Sequence, residues 1–203
     1  MNEFDQKAQQ WDTIPIRVER AHATAKGIRA SVPLSPGMTA LEYGCGTGLV
    51  SFVLQPQLGH ITLADSSIGM LDVLRDKIAS ADVQNMTPVQ LDLLTDPLPA
   101  DRFHLIYTLM TLHHIPDTDK ILGAFRQLLI DGGYLCVADL DREDGTFHAD
   151  QFDGHRGFDR EELAAQARQA GFQSITFSTV FHIPKEISGV RKEFPLFLMV
   201  ARK

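Results

Sequence analysis

The fold of this chain is decided by the stretch Leu41-Glu42-Tyr43-Gly44-Cys45-Gly46-Thr47-Gly48-Leu49, which joins a predicted strand to a following helix through three glycines. Glycines at such a turn permit a tight reversal and let a ligand approach the backbone beside the free N–H groups of a helix N-terminus. The spacing is G-x-G-x-G, and Leu49 stands where the dinucleotide fingerprint G-x-G-x-x-G has its third glycine. The loop therefore predicts an adenine-containing cofactor and fits a dinucleotide poorly.

Three carboxylates, Glu42, Asp65 and Asp92, lie at or near the ends of three successive predicted strands. Glu42 directly precedes the loop, where its charge would oppose a pyrophosphate and attract an ammonium group. Asp65 follows Gly44 by 65 − 44 = 21 positions and is placed to accept hydrogen bonds from ribose hydroxyls. Asp92 is suited to accept one from the exocyclic amine of adenine. Each also has a structural interpretation, since an Asp at a strand end commonly caps the next helix.

Strand and helix patterns alternate beyond the glycine loop. The predicted strands are Met38–Tyr43, His60–Ala64, Thr87–Leu93, Phe103–Leu109, Tyr134–Asp139, Ser174–His182 and Pro195–Arg202. The predicted helices are Ile68–Ala79, Asp117–Ile130 and Asp159–Ala170, with Ser66 or Ser67, Gly132-Gly133 and Gly171 as boundary signals. This alternation predicts an open, mostly parallel α/β sheet covered on both faces, whose last two strands form an antiparallel hairpin at one edge.

Two further segments flank this pattern. Residues 1–36 have helical spacing at Phe4, Ala8 and Trp11 and again after Pro15, so they predict a helical lead-in. Residues 141–157 are polar and have no clean period. Because a long structureless loop inside a compact domain is usually functional, we predict a lid or substrate loop there. The whole chain of 203 residues is expected to form one domain.

The composition excludes several classes of protein. Hydrophobic residues make up 44% and charged residues 22%, which is ordinary for a globular domain. The formal net charge is −7 and the basic residues are scattered, so we expect no nucleic-acid partner. No apolar run approaches the ~20 residues that cross a bilayer, and the first residues do not form a secretory signal, so we expect no membrane association and a cytoplasmic location. Cys45 and Cys136 are expected to be reduced packing residues.

With these residues in place, the chain resembles the class I S-adenosylmethionine-dependent methyltransferases, and more narrowly their UbiE-like, or methyltransferase domain 11, group. The resemblance covers most of the chain. It is carried by the glycine loop, Asp65 with Ser66 to Leu71, Leu91-Asp92-Leu93, Leu112-His113-His114-Ile115 and Leu128-Leu129-Ile130-Asp131-Gly132-Gly133. It implies a Rossmann-like three-layer sandwich with a seven-stranded sheet in the order 3-2-1-4-5-7-6, strand 7 antiparallel, in one methyltransferase domain over residues 1–203.

The resemblance also implies S-adenosyl-L-methionine as cofactor and S-adenosyl-L-homocysteine as its product. Glu42 and the glycine loop would hold the methionine part, Asp65 the ribose, and Asp92 with Leu93 the adenine, which Met70 would cover. The full set of expected cofactor contacts is Glu42, Gly44, Cys45, Gly46, Gly48, Asp65, Ser66, Met70, Asp92, Leu93 and Thr108. Tyr43 departs from the small or aliphatic residue common before the first glycine, and Ile130-Asp131 from the usual Lys-Pro.

Candidate acceptor-side residues are fewer. Methyl transfer from a sulfonium needs no acid or metal, and a base is required only if the nucleophile arrives protonated. His113 and His114 follow the fourth strand and could take that proton, or could instead cap the next helix or pack under the loop. Candidate substrate contacts are Trp11, Asp139, Asp141, His148 and His155, and the loop residues among them would favour a polar or cationic acceptor. No metal site is predicted, since spacing such as H-E-x-x-H is missing from the sequence.

We therefore expect a methyltransferase that acts on a small molecule, with oxygen or nitrogen acceptors ahead of carbon or sulfur, and that exists as a monomer or homodimer. Two alternatives stay open from the sequence. One is a non-catalytic module that keeps the fold as a regulator or partner subunit. The other is a nicotinamide-dependent oxidoreductase, which the glycine spacing and the charge of Glu42 oppose.

Overall fold

A computed structural model describes residues 3–148 and 152–203. Its helices are α1 (Glu3–Lys7), α2 (Pro15–Ser31), α3 (Leu49–Leu54), α4 (Ile68–Ser80), α5 (Thr118–Leu128) and α6 (Arg160–Gln169), with short 3-10 turns at Ala8–Thr13, Gln55–Gln57 and Leu112–His114. Its strands are β1 (Thr39–Tyr43), β2 (His60–Asp65), β3 (Met86–Gln90), β4 (Phe103–Leu109), β5 (Leu129–Leu140), β6 (Gln173–Ile187) and β7 (Val190–Arg202).

The seven strands form one sheet in the order β3-β2-β1-β4-β5-β7-β6. Strands β1 to β5 pair in parallel, and β7 runs antiparallel to both of its neighbours. The order and the antiparallel strand confirm the predicted architecture. Because the parallel strands all end at the same edge, the segments that follow β1, β2, β4 and β5 meet at one rim of the sheet.

Hydrophobic side chains cover both faces of the sheet. On one face, Phe125 of α5 and Leu163 of α6 pack in the same cluster as Leu41 of β1. On the other face, Ile28 of α2 and Leu74 of α4 pack in a second cluster. The strands in the middle of the sheet are therefore buried on both sides, which is why they read as nearly continuous apolar runs.

The predicted boundary between α5 and β5 is wrong. The helix ends at Leu128 instead of Ile130, and β5 begins at Leu129 instead of Tyr134. Leu129 has extended backbone angles and pairs with Phe103 at the start of β4, so pairing with the neighbouring strand overrides the helical spacing. The two glycines that were expected to stop the helix lie inside β5, where Gly132 has a φ of +77°.

Other boundaries also shift. Strand β3 ends at Gln90, short of the predicted Leu93, because the Asp92 side chain accepts a hydrogen bond from Leu94 N at 2.9 Å and turns the chain. The last two strands are longer than predicted and meet in a tight turn at residues 188–189. Among the described residues no helix is long and apolar enough to cross a membrane. Residues 149–151 of the predicted lid lie outside the described residues.

Candidate functional site

The glycine loop joins β1 to α3 at the rim of the sheet. All three of its glycines have positive φ angles. A Cβ on Gly44 would lie 2.3 Å from the Thr111 side chain, so only glycine fits there. A Cβ on Gly46 would lie in van der Waals contact with Met70 Sδ and with Trp11 Nε1, each at 3.9 Å. Met70, which was predicted to cover the adenine, and Trp11 of the N-terminal segment thus lie next to the same loop.

Asp65 ties the end of β2 to this loop. Its Oδ2 accepts a hydrogen bond from Gly46 N at 2.7 Å, and its Oδ1 accepts one from Ser67 N at 2.8 Å. Burial raises the pKa of the carboxyl above its usual value, while these backbone N–H groups act to lower it. Each carboxylate oxygen has a further lone pair, so Asp65 can still accept hydrogen bonds from a pair of ribose hydroxyls.

Glu42 lies beneath the loop and is almost fully buried, with 2% of its surface exposed. Ser51 Oγ donates a hydrogen bond to Glu42 Oε2 and is in turn within hydrogen-bond distance of the Tyr107 hydroxyl. Burial raises the pKa of Glu42 to about 8, so the cofactor-free site holds a carboxyl that is largely protonated at neutral pH. A ligand cation placed beside it would favour the charged carboxylate.

Asp92 and Leu93 are held by the side chain that departs from the family pattern. The Tyr43 hydroxyl donates to Asp92 Oδ1 at 3.4 Å and accepts from Leu93 N at 3.2 Å. A polar cleft of about 630 Å³ opens beside Asp92 and Ser66. The structure thus places Asp92 at a cleft of suitable chemistry for a base edge, and it shows that the Leu93 N–H already has an intramolecular partner. Glu42, Asp65, Asp92 and the glycine loop are called the cofactor half below.

The remaining predicted cofactor contacts vary in accessibility. The Cys45 thiol is buried, which raises its pKa well above the usual value and argues against a nucleophilic role. Thr108 Oγ1 of β4 is buried and has no hydrogen-bond partner among the described residues. Gly48 begins α3 in the left-handed conformation, where a Cβ would meet Leu74 at 2.7 Å.

The N-terminal segment is fastened onto the cofactor half. Asp12 accepts hydrogen bonds from Thr47 Oγ1 in the glycine loop and from Lys77 Nζ in α4. Asp5 Oδ1 accepts a hydrogen bond from Ser67 Oγ at 2.6 Å. These two anchors explain how a short helix and a 3-10 turn with little buried apolar surface hold their place over the loop. Neither aspartate was among the predicted site residues.

His113 and Asp139 form a buried pair beyond the end of β4. His113 Nδ1 lies 2.7 Å from Asp139 Oδ1, and His113 N donates to Asp139 Oδ2 at 3.2 Å. Leu140 N donates to Asp139 Oδ1 at 2.8 Å. Burial alone would raise the pKa of Asp139, but His113 and these N–H groups hold it below its usual value. The pair fixes the ring of His113 with its Nδ1 committed to the carboxylate.

Aromatic rings gather around this pair. The His113 ring centroid lies 4.2 Å from that of His114 and 5.0 Å from that of His148, and Phe152 stacks on His148 at 3.8 Å. Burial, followed by the charge of neighbouring His113, lowers the pKa of His114 and that of His148 to about 4. Phe4 of the N-terminal segment meets His114 edge-on at 5.3 Å. The structure therefore brings together three of the histidines that the sequence singled out.

Asp141 and His155 have other partners. Arg160 Nε and Nη2 each donate to Asp141 at 2.7 Å, which makes a bidentate ion pair at the start of α6. His155 Nε2 lies 2.9 Å from Ile115 O. These contacts fasten the two ends of the loop that the sequence predicted as a lid. Neither side chain joins the ring cluster.

Three residues with an unusual conformation or charge environment were not singled out from the sequence. Met110, directly after β4, has a φ of +54°, a strained conformation for a side-chain residue that tends to mark functional positions. Arg17 and Arg20 lie one turn apart on α2, where Arg17 stacks on the Trp11 ring and the charge of Asp139 acts on Arg20. Their i, i+3 spacing was a visible signal, but the helix was interpreted only for its apolar positions. Arg17, Arg20, His113, Asp139 and His148 are called the acceptor half below.

Among the described residues no group of three His, Cys, Asp or Glu side chains is arranged to hold a metal ion. The residues present fit S-adenosylmethionine instead. Buried Glu42 lies under the loop, Asp65 retains free lone pairs, and a polar cleft opens beside Asp92. A ligand with an ammonium group, a ribose and an adenine matches that order of groups.

Comparison with known proteins also indicates a methyltransferase. A family described as "Methyltransferase domain" matches residues 17–176. The chain is 28% identical over 173 residues to the ubiquinone/menaquinone biosynthesis C-methyltransferase UbiE of Vibrio vulnificus, covering 70% of this chain and 66% of that protein. It is 35% identical over 123 residues to the ubiquinone biosynthesis O-methyltransferase of Xylella fastidiosa, covering 59% and 48%.

A similar fold occurs in the solved structure of phosphoethanolamine N-methyltransferase 2 of Haemonchus contortus in complex with S-adenosyl-L-methionine. The TM-score is 0.73 at 14% identity, covering 100% of this chain and 60% of that one. The chain spans 42% to 66% of the length of the first curated relatives it matches.

Proposed function

This chain belongs to the S-adenosylmethionine-dependent methyltransferases, and we propose that it transfers the methyl group to an oxygen or nitrogen atom of a small-molecule acceptor, with His113 as the general base. The cofactor supplies an electrophilic methyl group on a sulfonium and becomes S-adenosylhomocysteine. The chain's own residues have to hold the cofactor, place the acceptor in line with it and take a proton from the acceptor.

The observation that carries the proposal is the buried His113–Asp139 pair. Asp139 accepts from Nδ1, which fixes the tautomer and leaves the lone pair on Nε2 free to take a proton. A hydroxyl or an ammonium must lose a proton to become a good nucleophile or a neutral product, whereas a thioether would need no base. An oriented histidine beyond the end of β4 therefore supports an acceptor that loses a proton, which includes the O–H and N–H groups proposed here; a thiol or an activated C–H would use the same base, and the acceptor screen below separates them.

His114 is better suited to contact than to proton transfer. With a pKa lowered to about 4, its ring is neutral at physiological pH and is a weak base. Its edge contact with Phe4 and its proximity to Phe152 make it part of the wall around His113. This assignment gives different roles to two histidines that the sequence analysis had treated alike.

On the cofactor half we propose the roles that the sequence implied. Glu42 faces the ammonium group, Asp65 accepts from the ribose hydroxyls, and Asp92 accepts from the adenine amine. We also propose that residues 1–203 act as one domain, with residues 1–36 and 141–157 as the two covers of its site. The anchors of Asp12 and Asp141 support this division.

The first test is calorimetric titration of the purified protein with S-adenosylhomocysteine, and with NAD in a parallel cell. We expect micromolar binding of the first and none of the second. Absence of S-adenosylhomocysteine binding would contradict the proposal and favour the non-catalytic alternative.

The second test screens O–H, N–H, thiol and carbon acceptors by release of S-adenosylhomocysteine, using wild type, His113→Asn and Asp139→Asn. Loss of general-base catalysis should lower kcat by about a hundredfold to ten-thousandfold while leaving affinity for S-adenosylhomocysteine unchanged. His22→Asn, on the exposed face of α2, is the matched control. Full kcat in His113→Asn with an O–H or N–H acceptor would contradict the base assignment.

A further inference from the structure

Arg20 of α2 forms no ion pair with any carboxylate in the part of the chain that the structure describes. Its Nε is buried and has no hydrogen-bond partner, and within the described residues the side chain makes no ion pair. Burial lowers the pKa of Arg20 to about 10, and the neighbouring charge of Arg17 acts in the same direction. A guanidinium at that pKa is still charged at neutral pH. Leaving such a donor unpaired costs free energy, so a missing partner has to be sought.

Arg17 adds a second cation next to it. Its guanidinium carbon lies 3.7 Å from the centroid of the Trp11 ring, and burial lowers its pKa. Arg17 Nη1 reaches the Trp11 carbonyl oxygen at 3.4 Å, which is a long hydrogen bond. The guanidinium is thus positioned by stacking on an aromatic ring, with most of its donors uncommitted.

The acidic groups nearby cannot balance both arginines. Asp139, whose charge acts on Arg20, is hydrogen-bonded to the His113 ring, which the proposed function requires to be neutral, so this pair supplies one negative charge against the two arginines. Asp12, whose charge acts on Arg17, is shared with Lys77. The sequence favoured a polar or cationic acceptor because of the acidic residues in the 141–157 loop. Asp141 of that loop is bound by Arg160, so it is not free to receive a cation.

We infer that the acceptor substrate carries an oxyanion, either a carboxylate or a phosphate, which binds to Arg20 with Arg17 beside it, while the atom to be methylated faces His113. The planar guanidinium presents a fork of N–H donors that matches two oxygens of either anion. This inference deepens the proposed function and rests on it, since it names the chemical class of the acceptor.

The fluorescence of Trp11 can report on binding at this site. Trp11 is the single tryptophan of the chain, and Arg17 stacks on its ring, so an anion that draws the guanidinium away should change the tryptophan emission. We would titrate phenyl phosphate, benzoate and benzyl alcohol, which share a ring and differ in charge, with calorimetry as a second readout. Each titration would be made with and without saturating S-adenosylhomocysteine.

We expect at least one of the two anions to bind saturably and benzyl alcohol to bind at least tenfold more weakly. The stronger of the two anions identifies phosphate or carboxylate as the group recognised. Arg20→Gln should weaken anion binding by at least tenfold, and Arg20→Lys, which keeps the charge but loses the fork, by a smaller factor. Arg168→Gln, on the exposed side of α6, should bind as wild type does.

Equal binding of benzyl alcohol and both anions would overturn the inference, as would unchanged anion affinity in both Arg20 variants. If Arg20→Gln does not fold, Arg20→Lys alone decides the matter. Anion binding without binding of S-adenosylhomocysteine would support the anion site and contradict the proposed methyltransferase activity. Binding of S-adenosylhomocysteine without anion binding would contradict the anion site alone.

Discussion

The cofactor half and the acceptor half of the site lie side by side on one rim, but their polar groups are satisfied in different ways. In the cofactor half, Asp65 accepts from Gly46 N and Ser67 N, and Asp92 accepts from Leu94 N. In the acceptor half, the Nε of Arg20 and the Nδ1 of His148 are buried with no partner among the described residues. The carboxylates of the cofactor half thus have backbone partners, whereas the acceptor half contains two buried nitrogen atoms without a partner among the described residues.

This difference shows where each half gets its specificity. Backbone N–H groups and glycines in a strand-to-helix turn hold the cofactor half rigidly, so its preference follows from the fold itself. The acceptor half is assembled from side chains on α2, β4, β5 and the loop after β5. Its preference can change with single substitutions while the fold stays the same, which is consistent with C- and O-methyltransferases among the relatives.

The largest expected effect comes from breaking the rigidity of the cofactor half at Gly44. Gly44→Ala places a Cβ 2.3 Å from Thr111 at a φ of +68°. Strain and overpacking together should lower the free energy of unfolding by about 3 kcal/mol and abolish measurable S-adenosylhomocysteine binding. Urea denaturation and calorimetry measure both quantities.

Gly123→Ala in α5 is the matched control, because a Cβ there meets nothing within 4 Å. It should raise the free energy of unfolding by about 0.5 to 1 kcal/mol through the helical preference of alanine. If the two substitutions destabilised the protein equally, the rigidity assigned to the loop would be wrong.

A smaller effect is expected when a single carboxylate of the cofactor half loses its charge. Asp65→Asn keeps the size of the side chain but weakens the hydrogen bonds from Gly46 N and from the ribose. Affinity for S-adenosylhomocysteine should fall by about 1.5 to 3 kcal/mol, the usual contribution of a hydrogen bond to a charged group. Asp72→Asn, an exposed position on α4, should leave the titration unchanged. Wild-type affinity in Asp65→Asn would remove the proposed ribose role.

The sequence predicted the position of the glycine loop and of the strand ends beside it because the signals there are local. A strand, three glycines and a carboxylate at the next strand end lie within residues 41–65, and each has a backbone reason for its position. The strand order followed from the family resemblance. The α5–β5 boundary failed because Leu129 pairs with Phe103, a contact that helical spacing cannot reveal.

The contacts within the acceptor half could not be predicted from the sequence, because the residues that interact there are far apart in the chain. Arg20 and Asp139 are 139 − 20 = 119 residues apart, and only the folded chain shows that the charge of Asp139 acts on Arg20 while its carboxylate is hydrogen-bonded to His113. The sequence identified the histidines but gave no means of separating them. The same acidic residues that suggested a cationic acceptor prove to be engaged elsewhere.

A pH titration should sharpen the comparison further, because Glu42 is the ionisable group at the centre of the cofactor half. Its pKa is raised by burial from 4.5 to about 8, so without cofactor the folded state binds a proton that the unfolded state releases. The contribution of Glu42 protonation to the free energy of unfolding is complete below pH 4.5 and is lost as the pH rises through 8. Urea unfolding of Glu42→Gln should lack this decline.

The same group makes cofactor binding depend on pH. An ammonium ligand favours the charged carboxylate, so affinity for S-adenosylhomocysteine should increase up to pH 8, by at most about tenfold per pH unit. Binding should release a proton, which calorimetry in buffers of different ionisation enthalpy detects. Glu42→Gln should bind more weakly and release none. If the affinity of the wild-type protein did not depend on pH, the proposed contact between Glu42 and the ammonium group would be wrong.

The smallest effect is expected at Asp12, where the N-terminal segment joins the two halves. Asp12 binds Lys77 with both side chains about one-third exposed, so the pair should contribute about 0.5 to 1 kcal/mol and weaken at high salt. Asp12→Asn should lower affinity for S-adenosylhomocysteine by a factor of about two to five, with exposed Glu19→Gln as control. Phe4 and Trp11 of the same segment contact His114 and Arg17. The variant therefore also tests whether the two halves of the site bind their ligands independently of each other. If phenyl phosphate binding falls by the same factor, the segment couples the halves and the comparison between them fails.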